Sequence, residues 1–182
     1  IAGVSGTCGG SLVGESYITA EATQDCTVIA SFAATHTVTP SAGSGGTITP
    51  SSTITVQDNE TYTFTANPNI GYELASFGGT CGGQRSSNTY TTNPVTQDCT
   101  VIANFERITY SVSPSANTGG SISPSEIQAV NSGETASFTL STASRYEIAP
   151  VTGSCGGTLN GNVFTTSEVT GDCTVVANFT DI

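Results

Sequence analysis

The run Gly6-Thr7-Cys8-Gly9-Gly10, then a polar span, then Gln24-Asp25-Cys26-Thr27-Val28-Ile29-Ala30-Ser31-Phe32, is written three times in this chain. The second copy opens at Thr80-Cys81-Gly82-Gly83 and closes at Gln97-Asp98-Cys99-Thr100-Val101-Ile102-Ala103-Asn104-Phe105. The third opens at Ser154-Cys155-Gly156-Gly157 and closes at Gly171-Asp172-Cys173-Thr174-Val175-Val176-Ala177-Asn178-Phe179. Within each copy the two cysteines stand 18 residues apart, and the copies recur every 73 or 74 residues. A fixed period of this length means similar supersecondary units in tandem, and it constrains the fold before any other feature does.

The 182 residues then hold two complete units, 34–106 and 107–182, preceded by the C-terminal half of a third, 1–33. Ile1-Ala2 aligns with Leu74-Ala75 and Ile148-Ala149, which directly follow Tyr-Glu pairs, so the upstream strands of the first unit are not in this chain. A unit of this size has a marginal apolar core. A staple is expected, and repeat symmetry favours the pairs Cys8–Cys26, Cys81–Cys99 and Cys155–Cys173 among the connectivities six cysteines allow. Oxidised pairs place the protein outside the cytosol, secreted or at the cell surface. Structural zinc needs four ligands, and each unit offers two cysteines in a chain with one histidine. No metal and no cofactor are expected.

Net charge is −11, with three Lys+Arg in all. A nucleic-acid binder tracks the phosphate backbone with a basic stripe, so that class is excluded. Binding to an anionic membrane surface is excluded for the same reason. No apolar run approaches a membrane helix, so no membrane insertion is expected. No signal peptide follows Ile1, and a secreted protein would have lost it or carry it upstream.

The apolar residues alternate with Thr and Ser over short runs, which is the half-buried strand pattern. Thr37 to Pro40 and Thr47 to Pro50 flank a Gly/Ser turn, as do Ser111 to Pro114 and Ser121 to Pro124, and each pair reads as a hairpin. The prolines suit edges or strand ends. Thr53 to Val56 and Tyr62 to Ala66 follow, separated by a polar turn at Asp58-Asn59. The closing strand puts Cys, Val, Ala and Phe on one face and Thr, Ile and Asn on the other. No window has a helical period with cap and stop, and only 67–71 has room for a short helical turn. The expectation is an all-β chain of tandem small modules, β-grasp-like or a small sandwich, with six or so strands and one disulfide each.

Val95 to Phe105 and Val169 to Phe179 match a closing strand of the form Val-Thr-x-Asp-x-Thr-Val-x-Ala-x-Phe. With the Gly-Gly-Thr-Ile, Tyr-Thr-Phe-Thr and Gly-Tyr-Glu-Leu segments ahead of it, the chain resembles the divergent internalin-type B-repeat family of secreted and surface-exposed bacterial proteins. The resemblance covers essentially the whole chain, and the cysteine pair marks a disulfide-containing subgroup. It implies an adhesin stalk or spacer and a β-grasp-like module, and it carries no catalytic residues.

The residues with chemical potential each meet a plainer reading. His36 aligns with Tyr110, so the position takes a planar ring on a strand, and no catalytic partner is evident. Asp25, Asp98 and Asp172 precede the second cysteines. Calcium needs six to eight clustered oxygens, so an Asx turn at the head of the last strand fits better. Glu60 and Glu134 repeat, but lie far from those aspartates in sequence. Tyr72 and Tyr146 are candidates for sugar stacking, but tyrosines are sparse and tryptophan is absent, which favours packing. Arg85, Arg107 and Arg145 occupy non-equivalent repeat positions and make no shared site. No catalytic residue is assigned.

Repeat, staples and the absence of a catalytic constellation lead to the expectation of a structural, non-enzymatic repeat array, which the resemblance implies to be a fibre, stalk or adhesin segment of a bacterial surface protein. The alternative is a set of glycan-binding modules beside a secreted enzyme. The partners expected are neighbouring repeats or identical subunits in a head-to-tail filament, with a surface glycan or protein as a further candidate. The half-unit 1–33 exposes Val4, Leu12, Ile18, Val28 and Phe32 along open strand edges, which are pairing sites. Either strands upstream cover it, the favoured reading, or another subunit adds them. The staples should matter to stability. Cys81→Ser with Cys99→Ser should destabilise the second unit by about 3 kcal/mol, the chain-entropy value for a loop of this length. Urea titration reads this, and an unchanged midpoint would show that the bridge staples nothing.

Overall fold

A computed structural model describes all residues 1–182. It contains twenty strands and no helix. The first half-repeat supplies β1 (Gly3–Gly6), β2 (Gly10–Val13), β3 (Ser16–Thr19) and β4 (Val28–Ser31). The second repeat supplies β5 (Thr35–Ala42), β6 (Gly46–Thr49), β7 (Ile54–Gln57), β8 (Thr63–Pro68), β9 (Tyr72–Gly79), β10 (Gly83–Ser86), β11 (Thr89–Thr92) and β12 (Cys99–Arg107). The third supplies β13 (Thr109–Ala116), β14 (Gly120–Ser123), β15 (Gln128–Asn131), β16 (Ser137–Thr142), β17 (Tyr146–Thr152), β18 (Gly157–Asn160), β19 (Val163–Thr166) and β20 (Cys173–Asp181).

Each complete repeat forms two four-stranded sheets with the same order. In the second repeat these are β7-β5-β12-β9 and β10-β11-β8-β6, and in the third β15-β13-β20-β17 and β18-β19-β16-β14. In the third repeat one core joins both sheets, with Val112, Val130, Val175 and Phe179 from one and Ile122, Phe138, Leu140 and Phe164 from the other. Of the two architectures expected, the repeat is the small sandwich. The closing strand alternates as read: Val101 and Ala103 are fully buried, with Ile102 between them at the margin.

Three local expectations are corrected. The Gly/Ser segment at 43–45 is not a hairpin turn. β5 pairs with β7 and β12, while β6 lies in the other sheet beside β8. β5 is flanked by β7 and β12, and Val38 and Ile48 are both buried, as are their counterparts Val112 and Ile122 in the single core of the third repeat. A corner between layers leaves the same sequence trace as a hairpin, two alternating runs around glycines. The same holds for β13 and β14. Pro40 then sits inside β5, but the β7 ladder ends at Val38, so that edge has no partner to lose there. Second, the strand number is eight, not six. The extra pair is the β10–β11 hairpin between the cysteines, whose Thr, Ser and Gln residues lack apolar alternation. Third, 69–71 forms a tight turn closed by Tyr72 N–H donating to Asn69 O at 3.0 Å, with no helix.

By its contacts the chain divides into two compact units. One comprises Ile1–Ala42, Ile48–Ala66 and Phe77–Ala103, the other Gly43–Thr47, Asn67–Ser76 and Asn104–Ile182. The loop tips and strand end of the second repeat thus belong to the unit that contains the third repeat. In the first unit the half-repeat makes two separate two-stranded sheets, β1-β4 and β2-β3.

Candidate functional site

The repeated cysteine motif builds one local device three times. Cys8–Cys26, Cys81–Cys99 and Cys155–Cys173 are bridged, and no cysteine is free. Each bridge has a polar lock beside it. Thr80 N–H donates to Thr100 Oγ1 at 3.2 Å, and Thr100 N–H donates back to Thr80 Oγ1 at 3.0 Å. Ser154 and Thr174 repeat this at 3.3 and 3.1 Å, and Thr7 and Thr27 at 3.4 and 2.9 Å. The signal was in the sequence as a hydroxyl residue before the first cysteine and another after the second. The glycine ahead of it is forced by closeness: at Gly79, φ is +110° and a Cβ would lie 2.2 Å from the Thr100 carbonyl oxygen.

The aspartate before each second cysteine does not make an Asx turn. Asp98 Oδ1 accepts the Thr37 N–H of β5 at 2.7 Å, and Asp172 Oδ1 accepts the Ser111 N–H of β13 at 2.8 Å. Each carboxylate ties the head of the last strand to the first strand, 61 residues away, which no local pattern could reveal. The backbone hydrogen bond from Thr37 holds the Asp98 carboxyl below its ordinary range, with His36 adding a weaker pull.

His36 is tied to the turn after β7 by its Nε2, 2.8 Å from Asp58 Oδ1. Reading the sequence missed this pair. Its counterparts in the third repeat, Tyr110 and Ser132, carry no charge. Tyr72 packs on the turn before β6, where a Cβ on Gly45 would stand 2.3 Å from the ring, and Tyr146 packs on Gly119 at the same distance. Arg107 stands over the Tyr72 ring, its guanidinium carbon 5.6 Å from the ring centroid. Arg107 also reaches Glu134 Oε1 through Nη1 at 2.7 Å. Beside it, Ile108 N–H donates to Gly71 O at 3.0 Å, and Ser132 N–H donates to Ile108 O at 2.9 Å. Gly45, Gly71, Tyr72, Arg107, Ile108, Ser132 and Glu134 all belong to the second compact unit. Glu60 instead accepts the Gln57 N–H within its own turn. Arg85 donates Nε–H to Ser87 O, and Arg145 stands with φ +71° at the place where the second repeat has Gly71.

Buried polarity is confined to Thr92 and Thr166, and both are satisfied. Thr166 Oγ1 accepts the Ala136 N–H at 2.9 Å, and Thr92 Oγ1 accepts that of Tyr62 at 3.0 Å. The recesses beside the disulfides are shallow clefts, such as the one lined by Ser154, Glu168 and Asp172. No cluster of three or more His, Cys, Asp or Glu side chains converges at ligating distance.

Fold and bonding together define a tandem array of disulfide-stapled β-sandwich repeats whose repeated hydroxyl and carboxylate groups accept backbone N–H bonds from other strands and loops. A family model described as the divergent InlB B-repeat domain matches residues 36–109 and again 110–182. The chain belongs to that family. Members are typically non-catalytic, and membership points to a bacterial surface repeat array. No curated protein matches the chain in sequence.

The Asp98 tie sets an acid limit. Its carboxyl pKa is lowered on folding, so its contribution is complete above the unfolded value and is lost as pH falls through the folded one. Asp98→Ala should lower the melting temperature of the second repeat at pH 7 and flatten its loss of stability in the acid range below the ordinary aspartate pKa. Thermal melts of both proteins from pH 7 downward check this. Parallel curves at every pH would contradict it.

Proposed function

We propose that the chain is a tension-bearing structural segment, a stalk or spacer of an extracellular bacterial surface protein. One observation carries this reading. The first and last strands of each complete repeat are adjacent and parallel: Val38 to Ala42 of β5 beside Cys99 to Ala103 of β12, and Val112 to Ala116 of β13 beside Cys173 to Ala177 of β20. In a parallel pair the start of one strand and the end of the other lie at opposite ends of the ladder. A repeat therefore takes load at one end and passes it on at the other. Pulling the chain shears the whole ladder together rather than opening it bond by bond, because the slanted parallel bonds lie across the load.

Two further features support the reading. The disulfide bridges the last strand to the residue just ahead of the hairpin, so the loop between cysteines 18 positions apart cannot extend under load. The linker residue Ile108 is hydrogen-bonded on both sides, which suits a junction that transmits force. Glycan stacking is less well supported, since the Tyr72 ring already packs against Gly45 and carries the Arg107 guanidinium over it.

Single-molecule pulling from the two termini tests the proposal, because forced unfolding reads the barrier directly. The two complete repeats should each give a discrete unfolding event. Reduction with dithiothreitol should lengthen each event by roughly 60 Å, the reach of the released loop. Smooth extension without discrete events would sink the structural role, and tight selective binding in a glycan screen would favour the accessory-module alternative.

A further inference from the structure

The two linkers that lead into complete repeats are built differently, and the difference centres on Arg107. In each linker one carbonyl accepts an N–H from the turn ahead of the Phe-bearing strand: Ala34 O accepts that of Asp58, and Ile108 O that of Ser132, both at 2.9 Å. The turn is anchored alike in both repeats. Val95 N–H donates to Glu60 O and Asn59 N–H to Val95 O, as Val169 N–H donates to Glu134 O and Gly133 N–H to Val169 O. Val95 and Val169 are buried, so each glutamate sits on a turn fastened to the interior. The linkers themselves differ. From Phe32 to Val38 the first is one residue shorter than the second, from Phe105 to Val112. It has Ala33 and Ala34 where the second has Glu106, Arg107 and Ile108. Glu60 accepts the Gln57 N–H of its own turn at 3.3 Å, while Glu134 Oε1 takes Arg107 Nη1 at 2.7 Å.

Exposed ion pairs contribute little as a rule, because two long side chains must be ordered to form them. Arg107 escapes much of that cost, since both of its acceptors are held by other groups. Asn131 Nδ2 donates to Glu134 Oε2 at 3.0 Å and fixes the carboxylate. The Tyr72 ring packs on Gly45, and its hydroxyl accepts Arg107 Nε–H at 3.3 Å. One cation thus holds the start of β9 and the turn ahead of β16 at once. Between these contacts runs a main-chain relay, Ser132 N–H to Ile108 O and Ile108 N–H to Gly71 O. The two turns also approach closely, for a Cβ on Gly71 would lie 3.7 Å from Ser132 Cβ. The main-chain bond does not itself need the arginine. It recurs from Ile182 N–H to Arg145 O at 2.9 Å, where the preceding residue is Asp181.

We propose that Arg107 is a salt-sensitive latch, a positioning residue that couples opening of the turn at Gly71 to opening of the turn at Ser132. The groups it joins all lie in the second compact unit. The latch is a property of the folded chain at rest, and it stands whether or not the array bears load. The side chains of Arg107 and Glu134 are 48% and 51% exposed, so dissolved ions reach the pair and screen it. In dilute salt the two turns open together. In concentrated salt each is held by its main-chain bonds alone.

Amide hydrogen exchange on the 182-residue chain tests this, because local opening is read amide by amide. Arg107→Ala should lower protection of the Ile108 and Ser132 amides about two- to fivefold in dilute salt, the scale of an exposed pair. The Asp58 amide, which makes the equivalent bond in the first linker, should keep its protection. Raising salt from about 0.01 M to about 1 M shortens the Debye length from about 30 Å to about 3 Å. That change should lower protection of Ile108 and Ser132 in the native chain and leave it nearly constant in Arg107→Ala. Glu134→Gln should reproduce part of the loss, and the double variant should be no less protected than Arg107→Ala alone, the non-additivity of groups acting as one. Unchanged protection of Ile108 and Ser132 in Arg107→Ala overturns the latch. So do an equal loss at Asp58, the same salt response in both proteins, and effects of the two substitutions that simply add.

Discussion

The parallel contact between the first and last strand of each repeat is the constraint on which the remaining structure depends. It is the longest-range pairing in the module, and it joins the two halves that the cysteine motif divides. Once β12 lies against β5, the buried side of the closing strand has a layer to face, and Val101 and Ala103 vanish from solvent. Each buried valine of this kind contributes about 1.5–3 kcal/mol relative to exposure. Such non-local pairing is entropically costly to reach, because a loop of some 60 residues closes before the contact forms. The disulfide and the threonine lock reduce that cost. They pre-form the closing half, so that a short rigid unit, rather than a floppy one, meets the first strand.

The half-repeat serves as an internal control on this account. Its disulfide and its threonine lock are in place, with Thr27 N–H 2.9 Å from Thr7 Oγ1 and the bridge at Cys8–Cys26. Its strands form, but as two separate pairs, and its would-be core residues face water. The staple thus sets the shape of the closing half without giving it a core. The apolar layer comes from the other half of the repeat.

How far the sequence disclosed this differs by feature, and the reason is physical in each case. The period, the three disulfides and the alternation of Cys99 to Phe105 were legible, because they depend on spacing and on a two-residue side-chain rhythm. Which strand pairs with which was not. Gly43 to Gly46 turns the chain between layers, and a corner and a hairpin use the same residues. The hairpin of Gly83 to Thr92 was invisible because its outward face is Thr, Ser and Gln, with little alternation to read. The roles of Asp98 and Asp172 depend on an N–H 61 residues away, and the pairing of Arg107 with Glu134 depends on how two repeats meet at Ile108. Some single-residue choices remain explicable only by comparing copies. Ser87 has φ +54° where the other two copies place Gly14 and Gly161 at +62° and +61°, so the motif position is a left-handed turn whichever residue holds it.

The central claim is that the staple alone does not hold the closing strand, which owes its burial to the first strand of the same repeat. Native-state hydrogen exchange, read residue by residue by NMR on the chain alone at low concentration, tests it most directly. Amides of Val101, Ala103, Val175 and Ala177 should exchange only through global unfolding of their repeats, while those of Val28 and Ala30, in the same sequence and beside the same disulfide, should exchange orders of magnitude faster. Equal protection of all three copies would contradict the account, because it would mean that the staple alone holds the strand.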